Sequence, residues 1–269
     1  MIKPKKYLGQ HFLKDDGIAR QIVSALSKNG YNNLIEIGPG TGALTKFLVQ
    51  DKSVGFLVVE VDGEAVEFLR KTFPELRDKI IEEDFLKLDL ELLFNKMGAG
   101  MMAIIGNFPY NISSQILFKV YENRDKVVEV VGMFQKEVAE RISAVPKGRN
   151  SGILTILLQA FYKVDYLFTV NENVFSPPPK VKSAVIRIIR NEVKNLGCNE
   201  ELFKQIVKTA FNQRRKKLSN ALGTFLEKKN ILINERIDLF AKRAEQLTVQ
   251  DFILLTGWIE RGGREERNS

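Results

Sequence analysis

The feature that most constrains this chain is Glu36-Ile-Gly38-Pro-Gly40-Thr-Gly42, which stands between the β-branched run Leu34–Ile37 and a helical pattern from Leu44 to Val49. Three alternating glycines let a backbone turn sharply at the end of a strand and approach a ligand closely before a helix begins. A turn of this kind belongs to an open α/β sheet and implies a nucleotide-like ligand. It does not say which one. Gly38, Gly40 and Ala43 also satisfy the dinucleotide pattern, and Glu60 follows Gly38 by 22 residues, near where a ribose-binding acid belongs.

The surrounding pattern agrees with that fold class. Strands are predicted at Gly55–Glu60, Ile80–Asp84, Met101–Ile105 and Val127–Phe134, with helices over Gly63–Phe73 and Gln135–Ala144. Phe161–Val170 and Ser183–Arg190 read as an antiparallel pair, making the sheet mixed and mostly parallel. Beyond Asn191 the strands vanish, and helices are predicted over Glu200–Phe211, Lys216–Lys228, Ile233–Phe240 and Val249–Glu260, the last with Thr248 and Asp251 in a capping arrangement. The expected organisation is a Rossmann-like α/β domain over 1–190 and a small all-helical domain over 191–269, with a frayed polar end from Gly262.

Several function classes recede on composition. A single cysteine, Cys198, forms no internal disulfide, and a single histidine, His11, leaves no Cys/His zinc site, so no metal is expected. No apolar run reaches the roughly 18 residues of a membrane span, and no secretory h-region follows the basic start, so a cytoplasmic protein is expected. The formal charge of +8 suits a polyanion, and its clustering in Arg214-Arg215-Lys216-Lys217 favours phosphate contact.

Acids decide between ligands. Glu36, two residues before the first glycine, would repel a pyrophosphate but attract a cation. Asp84, closing the third strand, is placed to accept a hydrogen bond from an adenine amine. With Glu60 they put an acid at the ends of strands one, two and three, the edge where such sheets bind ligands, which favours S-adenosylmethionine over NAD.

Asn107-Phe108-Pro109-Tyr110 follows the next strand. The amine of adenine is a poor nucleophile, because its lone pair is delocalised into the ring. A catalyst must accept hydrogen bonds from its two N–H groups and hold the lone pair toward a methyl donor. An Asn oxygen and a carbonyl next to proline can do this, a tyrosine offers a stacking face, and no titrating base is required. The stiff Phe175-Ser-Pro-Pro-Pro-Lys180 loop is a candidate second wall, with Lys180 able to meet phosphate.

Taken together, these residues resemble the small-subunit rRNA adenine N6,N6-dimethyltransferases, the KsgA family. The markers run nearly end to end: Leu8-Gly-Gln-His-Phe-Leu13, Glu36–Gly42, Val59–Asp62, Asp84-Phe85, Asn107–Ser113, Gln135–Val138, Phe175–Lys180 with Ser183–Val185, and Phe211–Lys216. The resemblance implies cofactor contacts from His11, Leu13, Gly38, Gly40, Glu60, Asp84 and Asn107. It places Asn107, Pro109 and Tyr110 around the target amine and casts Phe175 as a stacking partner for the base. Lys180, Arg214, Arg215, Lys216 and Lys217 become candidate RNA contacts. It further implies a monomer that docks on the small ribosomal subunit, dimethylates two adjacent adenosines near the 3′ end of 16S rRNA and yields S-adenosylhomocysteine. Family members commonly carry Asn at position 11 and Leu at 108; the His and Phe found here are compatible with hydrogen bonding and bulk. Competing readings are a large-subunit rRNA dimethyltransferase of the macrolide-resistance type, an assembly factor whose binding outweighs catalysis, and an NAD-dependent oxidoreductase.

Overall fold

The computed structural model describes residues 2–98, 100–233 and 238–263. In chain order its elements are β1 Phe12–Leu13, α1 Asp16–Ser24, β2 Asn33–Ile37, α2 Thr45–Leu48, β3 Gly55–Glu60, α3 Gly63–Thr72, β4 Ile80–Glu82, α4 Leu90–Lys96, β5 Met102–Asn107, α5 Ser113–Glu122 and β6 Val127–Gln135. There follow α6 Lys136–Ser143, α7 Ile153–Phe161, β7 Tyr162–Val170, β8 Phe175–Ser176, β9 Ser183–Arg190, α8 Glu200–Asn212, α9 Leu218–Glu227 and α10 Val249–Glu260.

Seven strands form one sheet in the order β4-β3-β2-β5-β6-β9-β7. β4, β3, β2, β5 and β6 run parallel, and β9 is antiparallel to β6. Every residue of β2 is buried, as befits a central parallel strand with both faces covered. The chain leaves β2 toward β3 and β4, then crosses back to β5 on the other side of β2. That reversal opens a crevice at the carboxyl ends of the strands, the usual ligand position in such a sheet. A separate two-stranded ribbon pairs β1 with β8, Leu13 opposite Phe175.

Contacts group the chain into two compact units, one holding residues up to Ala139 together with Lys163–Arg190, the other Glu140–Tyr162 with the residues from Asn191 on. This differs from a single cut after residue 190. The cause is α7, whose Ile156, Leu157, Leu158 and Phe161 are fully buried. A helix apolar nearly all round needs cover on all sides, and α7 packs against α8 and α10.

Within the second unit, Asn199 caps α8 by accepting the Leu202 N–H at 2.9 Å. Thr248 and Asp251 exchange hydrogen bonds at 2.8 and 3.0 Å in the capping box expected for α10. Phe211 stacks on Phe252, and Phe240 meets Trp258 edge to face. The helix expected over Lys216–Lys228 begins only at Leu218, because Lys217 is extended at its cap position. The basic run therefore forms the turn between α8 and α9. A helix over Ile233–Phe240 is not found at the described positions, where a 3-10 turn occupies Asp238–Ala241; residues 234–237 and 264–269 lie outside the described residues.

Candidate active site

The crevice between β2 and β5 is a partly open cleft at the carboxyl ends of the strands. Its walls come from the glycine turn after β2, the ends of β3 and β4, the Asn107–Tyr110 motif after β5, and the segment Leu8–Leu13. His11, Leu13, Glu36, Gly38, Gly40, Glu60, Asp84, Asn107, Pro109 and Tyr110 all line it. The structure thus gathers residues spread over a hundred positions into one cavity.

The glycine turn needs its glycines. Gly38, Gly40 and Gly42 have φ of 65°, 55° and 80°, a region that side chains rarely enter. A Cβ on Gly40 would also lie 2.8 Å from the Phe12 ring, so β1 is laid directly over the turn. Glu60 braces the turn from beneath: one carboxylate oxygen accepts the Gly40 N–H at 3.0 Å, and the other accepts those of Val61 and Asp62 at 2.9 Å. Burial pushes the Glu60 carboxyl above its ordinary range, and the three N–H groups pull it back. Glu36 is 1% exposed and accepts the Thr45 hydroxyl at 2.7 Å. Burial, reinforced by the charge of Glu60, pushes it up to about 8 against the bonds from Thr45. A buried carboxyl of this kind has high affinity for either a proton or a nearby cation.

At the opposite end Asn107-Phe108-Pro109-Tyr110 is seated by a pair of glycines. Gly106 and Gly132 face each other on β5 and β6, and a Cβ on either would come within 2.7 and 2.3 Å of the Phe108 ring. Their bareness is the socket for Phe108, which is 1% exposed and packs edge to face on Phe134. Asn107 Nδ2 donates to the His11 carbonyl at 2.8 Å. This fixes the amide with its nitrogen toward β1 and its oxygen on the other side. The Tyr110 hydroxyl is 2.5 Å from Ser183 Oγ, and its ring stacks on His11 with centroids 5.6 Å apart. His11 Nδ1 lies 2.8 Å from the Pro177 carbonyl, so that nitrogen carries the hydrogen and donates.

One residue departs from its expected place. Phe175 is not on the cleft wall: it is 1% exposed inside the core cluster, opposite Leu13 in the β1–β8 ribbon. As a strand residue its ring is spent on packing, and the aromatic surface beside Asn107 comes instead from Tyr110 and His11. Among the basic candidates Lys180, Arg215, Lys216 and Lys217 are exposed, whereas Arg214 is paired with Glu245 at 2.8 Å.

Sequence reasoning assigned no function to Gln10, Asp62 or Ser183, although all three fell within its marker segments. Asp62, its side chain fully buried, accepts from Lys5 Nζ at 2.6 Å and Gln10 Nε2 at 2.9 Å, tying the segment before β1 across the cleft mouth. These are contacts between residues more than fifty positions apart, which no local pattern announces.

The family model for ribosomal RNA adenine dimethylase matches residues 1–261 of the chain. Ribosomal RNA small subunit methyltransferase A of Phocaeicola vulgatus is 55% identical over 260 residues, covering 97% of this chain and 91% of that protein. The protein of the same description from Flavobacterium johnsoniae is 54% identical, with 97% and 98% covered. Among solved structures, a dimethyladenosine transferase from Plasmodium falciparum superposes with a TM-score of 0.76 at 26% identity, covering 94% of this chain and 98% of that one. The 23S rRNA methyltransferase ErmE, at 20% identity and a TM-score of 0.64, over 91% of this chain and 99% of that one, shares the fold. Matched by that model over residues 1–261 and by these relatives along nearly its whole length, the chain belongs to the ribosomal RNA adenine dimethylase family.

Proposed function

We propose that the protein uses S-adenosylmethionine to dimethylate the N6 amines of two adjacent adenosines near the 3′ end of 16S rRNA, acting on the immature small subunit in the cytoplasm as a monomer. The observation that carries this reading is the orientation of Asn107. With its nitrogen held by the His11 carbonyl, its oxygen is presented as an acceptor in a cleft whose other end is lined by Glu36, Glu60 and Asp84.

The donor set fits the cofactor. The buried acid Glu36, Glu60 at the end of β3 and Asp84 just past β4 suit, respectively, a cationic ligand, ribose hydroxyls and an adenine amine. When bound, S-adenosylmethionine supplies a methyl group made electrophilic by its sulfonium. The chain's own part is positioning. Asn107 accepts one N–H of the target amine. Pro109 has no N–H and its carbonyl already accepts that of Ile112 at 3.2 Å, so the second acceptor is the carbonyl that precedes the proline. Both bonds turn the nitrogen lone pair out of conjugation and toward the donor, where alignment rather than base catalysis lowers the barrier. Burial pushes the Tyr110 phenol up, against the pull of its bond to Ser183, so it remains a neutral stacking surface. A paired adenosine must be turned out to reach this position.

Exposed Lys180, Arg215, Lys216 and Lys217 supply the phosphate-binding side of the reading, with Arg214 holding the turn to Glu245. The test is primer extension across both rRNAs from a strain lacking the gene, complemented with the wild-type or the Asn107→Ala chain. Wild-type protein restores paired stops near the 3′ end of 16S rRNA, and Asn107→Ala does not. Stops on 23S rRNA alone would overturn the substrate, and restored methylation by Asn107→Ala would overturn the site.

A further inference from the structure

We infer that Lys119 is a positioning residue for cofactor recognition: from helix α5 it holds the Asp84–Leu88 turn in the shape that presents Asp84 and Phe85 to the adenine ring. The inference rests on the reading that the cleft takes S-adenosylmethionine. Lys119 itself does not line the cleft, whereas Asp84 and Phe85 both do.

Three contacts of the ammonium fall on this one short turn. Nζ donates to the Leu86 carbonyl at 2.9 Å and to the Leu88 carbonyl, and it sits 5.3 Å from the centroid of the Phe85 ring. The turn closes its own N–H groups locally, for Asp84 Oδ1 accepts that of Leu86 at 2.9 Å and the Asp84 carbonyl accepts those of Lys87 and Leu88. Local closure of the N–H groups does nothing for the carbonyls of Leu86 and Leu88. A partly buried cation with several donors satisfies both at once. Burial lowers the proton affinity of Lys119, and the carboxylates of Asp84, Asp89, Glu122 and Glu83 oppose that loss.

The helix that carries Lys119 also carries the other end of the site. α5 begins at Ser113, whose hydroxyl donates to the Tyr110 carbonyl at 3.1 Å. From Ser113 to Lys119 is about 9 Å of helix rise. A single rigid element therefore spaces the adenine-holding turn from the reaction motif. Without the ammonium, Asp84 keeps its place in the sequence and loses its fixed place in the cleft.

A role in shape alone and a role in adenine recognition give different binding data. The probes are S-adenosylhomocysteine and S-inosylhomocysteine, which carries a carbonyl where adenine has its amine, titrated by calorimetry into wild-type, Lys119→Met and Lys119→Arg proteins. Wild-type protein is expected to prefer the adenosyl ligand by about tenfold, the worth of one buried hydrogen bond. Lys119→Met is expected to weaken S-adenosylhomocysteine about tenfold and bring the preference close to one. Its kcat at saturating cofactor and its KM for small subunits should stay within twofold. Lys119→Arg, able to reach both carbonyls, restores the preference. If Lys119→Met does not fold, Lys119→Gln, which loses the charge and keeps a donor, is read in its place by the same ratio. Unchanged affinity, or an equal loss for both ligands, overturns the inference. Failure of the wild-type protein to bind S-adenosylhomocysteine would instead overturn the cofactor reading, and this inference with it.

Discussion

The two ends of the cleft are built in opposite ways. At the glycine end the ligand surface is mostly backbone: a turn with three positive φ values, braced by Glu60 through N–H groups no more than twenty residues away. At the Asn107 end the surface is side chains, each held by a partner far off in sequence: Asn107 by His11, Tyr110 by Ser183, His11 by Pro177. Backbone turns hold their shape through local conformation, and side-chain arrays hold theirs only as well as their distant supports. The Asn107 end, the proposed reaction end, should therefore be the easier to damage without touching Asn107 or Tyr110.

The largest expected effect falls on Phe175, which precedes Pro177 by two residues and is buried in the core. Phe175 fills the core beneath β1 opposite Leu13, so Phe175→Ala should cost about 3–5 kcal/mol of stability through the cavity it leaves. Thermal unfolding measures the cost. If the Tm moves by less than a degree while methylation collapses, the ring faces the substrate after all.

Asn107→Ala comes next and separates the two ends directly. Loss of one preorganised acceptor should lower kcat by about 10²–10³-fold. Affinity for S-adenosylhomocysteine, measured by calorimetry, should change far less, because Glu36, Glu60 and Asp84, the acids proposed to hold it, lie at the other end. A comparable loss in both quantities would show that the ends are not separable.

This contrast also explains what could be read from the sequence. That Glu36, Gly38, Gly40, Glu60 and Asp84 would meet in one cleft was legible from the sequence, because each lies at or just past a strand that composition and periodicity reveal. The place of Asn107 in the same cleft was legible as well, from the strand that precedes it. Its supports were not. Phe175 read as an aromatic in a proline-rich loop, and only the pairing of two two-residue strands, too short to leave a periodic trace, shows that it belongs to the core. Helix α7 was missed because a segment apolar on nearly every face has no stripe to detect, and the grouping of residues 140–162 with the helical unit was missed with it. The seat of Phe108 depended on two glycines 26 positions apart meeting across β5 and β6.

The glycine end has a pH signature of its own. Glu36 is held up at about 8, against an ordinary carboxylate near 4.5. The cofactor-free folded state thus keeps a proton that the unfolded chain gives up, and this contribution to stability fades as pH rises from about 4.5 to 8. Binding a cation beside Glu36 favours the ionised form, so affinity for S-adenosylmethionine should rise with pH over that window, by at most about tenfold per unit. Glu36→Gln should flatten the dependence. Calorimetry in buffers of different ionisation enthalpy measures the released proton, and no release at pH 7 would remove Glu36 from contact with the cation.

The smallest effect tests the supports of the reaction end most selectively. Tyr110→Phe keeps the ring that stacks on His11 and removes only the hydroxyl that meets Ser183. A lone hydrogen bond of this type contributes about 0.5–1.5 kcal/mol, so kcat should fall by about two- to tenfold with cofactor affinity unchanged. Ser183→Ala should do the same, and the double variant should lose little more than either single one, because both remove the same bond. Additive losses would mean that the hydroxyl and Ser183 act separately. The reaction end would then be held by more independent ties than the geometry displays, and the difference in robustness between the two ends would shrink accordingly.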